Sequence, residues 1–444
     1  MAISPARVAA FDILLRVEQQ ASYASELLHA QRAEALSAAD HRLATEIAMG
    51  VLRWRSVLDD HIAERSSQRL AKLDLAVLTS LRLGAYQLLF LERVPAHAVV
   101  HDSAELVKRA RKASAAAFAN AVLRKLVKEK TTVPAALAAD ADVADLARAR
   151  AHPEWLVSRW VDAFGLEVAH KICAYDQAPP PAALRLFDAM AESDLEAEGI
   201  RLAPGLINTA ARRLRSGSLI RTKAFGDGRI AIQDEASQLI ALLAGFGNRI
   251  LDCCAAPGGK TRILAQRNPE SFIVAAELHP HRARLLQSLH AATKVRVIVA
   301  DAEQLTFATE FDRVLVDAPC SGTGTLARNP EIKWRLKPED LAGFQSRQLA
   351  ILRSAMRNVC PGGRLIYATC SLESEENEDV VTQALGENAD FRVRDCREEL
   401  DRLRESGELA WPDPQSLTRG PYLRTIPGVH PCDGFFAAVL EKIA

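Results

Sequence analysis

Arg249–Thr261 reads RILDCCAAPGGKT: Ile250–Cys253 is a short apolar run beside an acid, a loop of small residues follows, and Thr261–Arg267 (TRILAQR) resumes a helical pattern. The order is strand, loop, helix. Pro257, Gly258 and Gly259 let the backbone come close to a ligand, and the helix that follows offers unpaired N–H groups to negative charge. A nucleotide-like ligand is the first expectation, and two classes compete for it. GGKT matches the tail of a phosphate-gripping GxxxxGK[ST] loop, and Val314–Asp317 (VLVD) could pass for the metal-holding strand of such proteins, but Cys254 stands where the first glycine is needed. The other class holds an adenosine by its ribose.

For that class the next strand should end in an acid about twenty residues on. Phe272–Glu277 (FIVAAE) does so. Val295–Ala300 (VRVIVA) then runs into Asp301, and Arg313–Val316 (RVLV) into Asp317. In an open α/β sheet ligands bind at the carboxyl ends of the strands, so Asp252, Glu277, Asp301 and Asp317 should line one crevice. Strand-end acids that merely cap loops would explain one or two of these, not four in succession beside a glycine loop.

Working outward, 444 residues are too many for one core and suggest two or three domains. Hydrophobic residues at 49% and charged residues at 25% describe a globular protein with ample core. The start, MAISPARVAAFDILLRVEQQ, carries charges in helical register and lacks a signal-peptide apolar region, and no uninterrupted apolar span has membrane length; a cytoplasmic protein is expected. The formal net charge is zero, so a nucleic-acid partner can be argued only from local patches. One patch exists: Lys108, Arg109, Arg111, Lys112, Arg124, Lys125, Lys128 and Lys130 are answered within that window only by Glu129. It is either a solvated helix face or a phosphate-binding surface. The eight cysteines have irregular spacing and no CxxC pair, so zinc and disulfides are not expected.

The first 130 residues read as helices only: Pro5–Glu18, Tyr23–Glu34, Ala38–Val57, Ala71–Phe90, Val99–Lys112 and Ser114–Glu129, with Leu15, Leu52, Leu81, Tyr86, Leu89, Val100, Phe118 and Leu123 as core candidates. Thr131–Asp145 resembles a linker. After Pro179–Pro181 come strand candidates at Ala183–Phe187 and Ser218–Thr222 around a helix-like Ser193–Ile200, a small α+β piece. From Gln233 the α/β alternation is continuous. The division expected is an all-α domain over 1–135, a small α+β domain over 145–232 and a Rossmann-like α/β domain over 233–444.

Two cysteines sit at strand ends. Val316–Gly324 reads VDAPCSGTG, with Cys320 in a loop free of bulky residues, and Arg364–Ser371 reads RLIYATCS, with Cys370 ending the fifth strand. Each is either a poised nucleophile or an inert packed thiol; Cys253 and Cys360 are assigned to packing. A thiol beside an adenosine site suits methyl transfer to carbon, because C5 of a pyrimidine becomes nucleophilic only after a thiolate adds at C6. Transfer to an exocyclic amine usually carries [DN]PP[YF], where this chain has DAPC.

Together DCCAAPGGK (Asp252–Lys260), DAPCSGTG (Asp317–Gly324) and YATCS (Tyr367–Ser371) resemble the S-adenosylmethionine-dependent RNA cytosine-5 methyltransferases. The N-terminal helices resemble the NusB-type RNA-binding fold, notably in LGAYQLLFLERVPAHAVV (Leu83–Val100) and FANAVLRKL (Phe118–Leu126), which points to the Sun/RsmB branch that modifies small-subunit (16S) ribosomal RNA. The resemblance covers nearly the whole chain. It implies that Cys370 attacks the base, Cys320 assists product release and Asp317 holds the cytosine edge. It places the cofactor, S-adenosylmethionine, on Cys254, Ala255, Ala256, Pro257, Gly258, Gly259 and Lys260, on Glu277 at the ribose, on Asp301 near the adenine and on Asp317. Glu277 is often aspartate in relatives, and Phe187 in LRLF stands where they tend to have asparagine. DNA cytosine-5 enzymes attack with the PC cysteine, which makes the opposite assignment the rival. The implied partner is 16S rRNA, naked or in an early assembly particle, met by a monomer without metal or membrane. Alternatives are the same chemistry on tRNA or large-subunit rRNA, a P-loop ATPase, and a non-catalytic NusB-like RNA-binding module.

Overall fold

The computed structural model describes residues 3–29, 36–129, 142–291 and 293–443. They divide into two compact units, Met1–Pro179 with Leu326–Arg335, and Pro180–Thr325 with Leu336–Ala444. The stretch expected as one middle piece is thus apportioned: helices Val143–Ala149, Glu154–Phe164 and Leu166–Asp176 group with the first unit, and the strands from Ala183 group with the second.

Among the described residues the first unit is built from helices without a strand. Pro5 opens the helix Pro5–Gln20 at a position whose N–H would be unpaired in any case. Ser37 and Asp74 cap Ala38–Arg53 and Leu75–Phe90 by accepting the N–H groups of Asp40 and Ala76. Phe11, Leu52, Leu58, Leu81 and Leu123 meet in one core, with Leu15, Leu89 and Phe118 partly buried at its margin. Gly50 and Gly84 permit close helix approach, since a Cβ on Gly50 would lie 1.9 Å from the Tyr86 ring and one on Gly84 2.7 Å from Leu123. The helix expected over 38–57 is broken. Trp54 leaves helical geometry and sets its ring 4.9 Å from Phe90, and a second helix, Arg55–Arg65, runs on from it. Of the helix expected over 23–34 the structure describes Ala24–His29; residues 30–35, Lys130 and the linker over 131–141 lie outside the described residues.

Leu326–Arg335, which follows the DAPCSGTG stretch directly, folds as part of this helical unit. Its side chains bind helix-end carbonyls: Lys333 Nζ donates to Arg53 O at 2.9 Å, Trp334 Nε1 to Leu52 O at 2.6 Å, and the Arg335 guanidinium to the carbonyls of Val17, Ala21 and Ser22. In return Ala24 N donates to Glu331 Oε1 at 2.6 Å. Lys333 is 1% exposed, and burial lowers its pKa.

The second unit begins with four strands in one antiparallel sheet among the described residues: β1 (Ala183–Leu186), β2 (Arg201–Pro204), β3 (Ala211–Ser216) and β4 (Ile230–Ile232), ordered β2-β3-β1-β4. The strand expected over 218–222 is a 3-10 turn, Leu219–Arg221. Thr222 then caps a short helix, Lys223–Gly226, by accepting Phe225 N. β5 (Arg249–Asp252), β6 (Phe272–Glu277), β7 (Val295–Val299), β8 (Phe311–Asp317) and β9 (Val359–Thr369) run parallel in the order β7-β6-β5-β8-β9. β13 (Phe435–Lys442) pairs antiparallel with β9 and carries β10 (Phe391–Arg394) and β12 (Tyr422–Thr425), and β11 (Thr418–Arg419) closes the edge. This gives one sheet of nine strands among the described residues. Core residues lie on both of its faces, so its parallel strands read as nearly continuous apolar runs. The architecture is a NusB-like helical part, a small α+β part and a Rossmann-like α/β part. No helix among the described residues is long and apolar enough to cross a membrane.

Candidate active site

The strand order puts the carboxyl ends of β7, β6, β5, β8 and β9 side by side, and with them the four acids and both cysteines. Asp252 closes β5 and is 1% exposed. Thr261 Oγ1 donates to its Oδ2 at 2.7 Å, while its Oδ1, also buried, has no partner. Burial raises its pKa to about 7; the Thr261 hydrogen bond opposes the shift and Asp317 adds to it. An acid raised in the folded state favours folding in its protonated form, so this group makes the fold less stable as pH climbs from about 4 to 7. A cationic ligand group beside Oδ1 would reverse that cost.

The loop Cys254–Gly258 leads from Asp252 into the helix Gly259–Arg267. Gly258 has φ +108°, a left-handed conformation, and a Cβ there would lie 2.7 Å from Leu286, so the loop rests directly on the helix Pro280–Leu289. Ala255 is buried, and burial pushes the Cys254 thiol up, which marks it as packed rather than reactive. Glu277 closes β6, accepting His279 N on Oε1 at 2.8 Å and leaving its other oxygen for a ligand. Asp301 follows β7, exposed, and accepts Glu303 N at 3.0 Å on Oδ1. A glycine cradle, a half-used strand-end carboxylate and an orphaned buried carboxylate oxygen suit a ligand that has ribose hydroxyls and a positive centre.

Asp317 closes β8, and its Oδ2 pairs with Lys260 Nζ at 2.6 Å; the same ammonium stands 5.2 Å from the Phe435 ring. Three residues on, Cys320 Sγ lies 3.3 Å from Cys370 Sγ. The hydrogen bond to Cys370, and then burial, push the Cys320 thiol up.

The two cysteine loops are bonded along their length. Gly324 N donates to Cys370 O at 2.9 Å and Leu372 N to Thr323 Oγ1 at 2.9 Å. Beneath them lies Glu376, 0% exposed: Ser321 N and Gln348 Nε2 donate to its Oε2, each at 2.8 Å, and the hydroxyls of Ser321 and Ser371 donate to its Oε1. Arg424 Nη1 and Asn377 Nδ2 hold the Ser371 carbonyl at 3.2 and 2.9 Å. Sequence reasoning missed Glu376, although one signal was available: each cysteine is followed by a serine, and both serines need a buried acceptor. Phe187 lies outside this network, with its ring 4.1 Å under the Arg262 guanidinium.

A Cβ on Gly324 would lie 2.2 Å from Gly434 O and 2.9 Å from Cys370 O, both backbone atoms that cannot swing aside. Gly324→Ala should thus destabilise the protein by about 1–3 kcal/mol and slow the reaction. Urea unfolding beside a single-turnover assay checks this, and an unchanged midpoint and rate would refute the close-packed junction.

Residues 240–441 match the family model of the 16S rRNA methyltransferase RsmB/F, and residues 4–128 match that of the NusB family. A probable ribosomal RNA small subunit methyltransferase B of Bacillus subtilis is 34% identical over 450 residues, with 98% of each chain covered. The ribosomal RNA small subunit methyltransferase B of Vibrio cholerae is 31% identical, over 91% of this chain and 90% of that one. The crystal structure of a methyltransferase homologue from Pyrococcus horikoshii, 26% identical, superposes with a TM-score of 0.56 over 69% of this chain and all of that one.

Proposed function

The chain belongs to the RsmB/Sun family of S-adenosylmethionine-dependent rRNA methyltransferases, and from that premise we propose that it methylates C5 of one cytosine in 16S rRNA through a covalent bond between Cys370 and C6. The observation that carries this reading is the pair of thiols 3.3 Å apart at the ends of neighbouring parallel strands, beside the glycine loop and Asp317. A methyl transfer to nitrogen has no use for a thiol, and a transfer to C5 needs one to add to the ring and a base to complete the elimination.

The bound cofactor supplies the methyl group. Cys254–Lys260 would cradle it, Glu277 would take the ribose hydroxyls, Asp301 would lie by the adenine, and Asp252 Oδ1 offers the positive centre its counter-charge. Asp317 would hold the cytosine edge, with Lys260 fixing its carboxylate. The Cys370 thiolate adds to C6, C5 takes the methyl group, and Cys320 serves the release step in which the C5 proton leaves and the Cys370 sulfur is expelled. The helical unit would bring the rRNA, naked or in an early assembly particle, to a monomeric enzyme.

The test is methylation of transcripts with labelled cofactor, followed by mapping of the modified base. A label on C5 of a 16S cytosine is expected; a label on tRNA or 23S transcripts alone would move the substrate, and one on nitrogen would overturn the chemistry. Calorimetry should show S-adenosylmethionine binding without ATP hydrolysis. Tight MgATP binding with no heat from S-adenosylmethionine would restore the P-loop reading of GGKT.

A further inference from the structure

The basic stretch that ends the NusB-like segment is not one uniform surface. Lys108 pairs with Glu105, Arg109 with Asp12 and Lys112 with Asp74, each at 2.7 Å, and Lys125 donates to the Arg65 carbonyl at 3.1 Å. Arg124 and Lys128 form no ion pair among the described residues. They stand one turn apart on the helix Ala116–Lys128, so both emerge on one face.

That face forms a wall of a groove of about 520 Å³ between this helix and Ala96–Arg109, within the range of roughly 300–1,000 Å³ that small ligands occupy. Its lining joins apolar surface from Val100 and Val127 to His101, Arg124, Lys128 and the mutually paired Glu105 and Lys108. Asn120 also lines it, with an Oδ1 that is buried and has no hydrogen-bond partner. Unpaired cations, an apolar wall and one unsatisfied amide form a combination that duplex phosphates alone do not require. Unpaired nucleotides do: a base packs on the apolar wall, an amide meets its hydrogen-bonding edge, and cations meet the flanking phosphates.

We propose that this groove seats an unpaired nucleotide of the rRNA substrate, its base against Val100 and Val127, its edge on Asn120 and its phosphates on Arg124 and Lys128. The inference rests on the rRNA-directed function proposed above and deepens it. The paired cations Arg109 and Lys112 are excluded from the contact because their charge is already answered.

The experiment measures binding of the full chain to a labelled 16S rRNA transcript over a range of salt concentrations. Arg124→Ala/Lys128→Ala should weaken binding at least about tenfold at low salt and reduce the slope of log affinity against log salt by about 1.4, since each contact with single-stranded phosphate contributes about 0.7. Asn120→Ala should weaken binding several-fold with the slope unchanged, because it removes a base contact. Arg109→Ala/Lys112→Ala should leave the slope in place. Equal losses in the two double variants, or a full slope in Arg124→Ala/Lys128→Ala, would overturn the groove while the functional reading stands; the second is also the outcome if the groove takes an acidic protein segment. Failure of the unaltered chain to bind the transcript would overturn both.

Discussion

Cys370→Ala should abolish methylation, on the order of 10⁴-fold or more, the scale of losing a covalent nucleophile, and should leave no protein–RNA adduct. Cys320→Ala should do something different: methylate once and stay attached, giving an RNA-linked band that survives denaturing electrophoresis. Distance cannot separate the two roles, because thiols 3.3 Å apart have nearly equal reach to a base placed between them. The surroundings of Cys320 favour one assignment. Cys320 is pushed up by its bond to Cys370 and by burial, which disfavours Cys320 as the attacking thiolate. A raised Cys320 thiol supports attack from Cys370 and a later proton transfer at Cys320. The rival assignment, with the PC cysteine attacking as in DNA cytosine-5 enzymes, makes the opposite forecast. A trapped adduct with Cys370→Ala and none with Cys320→Ala would establish it and refute the mechanism proposed here.

What could be read in the sequence follows from where each signal is stored. β5, β6 and β8 are enclosed on both faces and therefore appear as apolar runs, and the acids at their ends mark the crevice without any tertiary knowledge. β3 reads ARRLRS and escaped notice because its polarity is satisfied by distant partners: Arg212 pairs with Glu192 and Arg213 with Glu235. The break at Trp54 was hidden because an aromatic residue in helical register looks like core until its ring is seen against Phe90. Leu326–Arg335 has no apolar period that would place it in a core. It is instead anchored by side chains on helix-end carbonyls some 300 positions away, a pattern without periodicity. Glu376 was concealed for the same reason. It lies in the acidic run ESEENE, which resembles a solvated turn, yet beside the nearby Ser371 hydroxyl its donors Ser321 and Gln348 come from 55 and 28 residues back along the chain.

Glu376 therefore makes the second large prediction. Its removal in Glu376→Ala strands Ser321 N, both serine hydroxyls and Gln348 Nε2 in a buried site, at about 1–3 kcal/mol for each donor left unmet. Hydroxyl rotation and entry of water offset part of this, so a net loss on the order of 3 kcal/mol is expected, together with more than about a hundredfold loss of methylation as the two thiols lose their common footing. Glu376→Gln tests whether the carboxylate acts by shape or by charge. Its amide oxygen can replace Oε2 opposite Ser321 N and Gln348, and its NH₂ can replace Oε1, because serine hydroxyls rotate to accept as readily as to donate. Stability should return to within about 1 kcal/mol of the unaltered chain and methylation to within about tenfold, with cofactor affinity the same in all three proteins. If Glu376→Gln folds normally yet stays as inactive as Glu376→Ala, the negative charge itself takes part in the reaction, and the positioning role is refuted. If Glu376→Ala methylates at the full rate, the cysteine loops need no shared acceptor, and their alignment must come from the direct bonds between them, such as Gly324 N to Cys370 O and Leu372 N to Thr323 Oγ1.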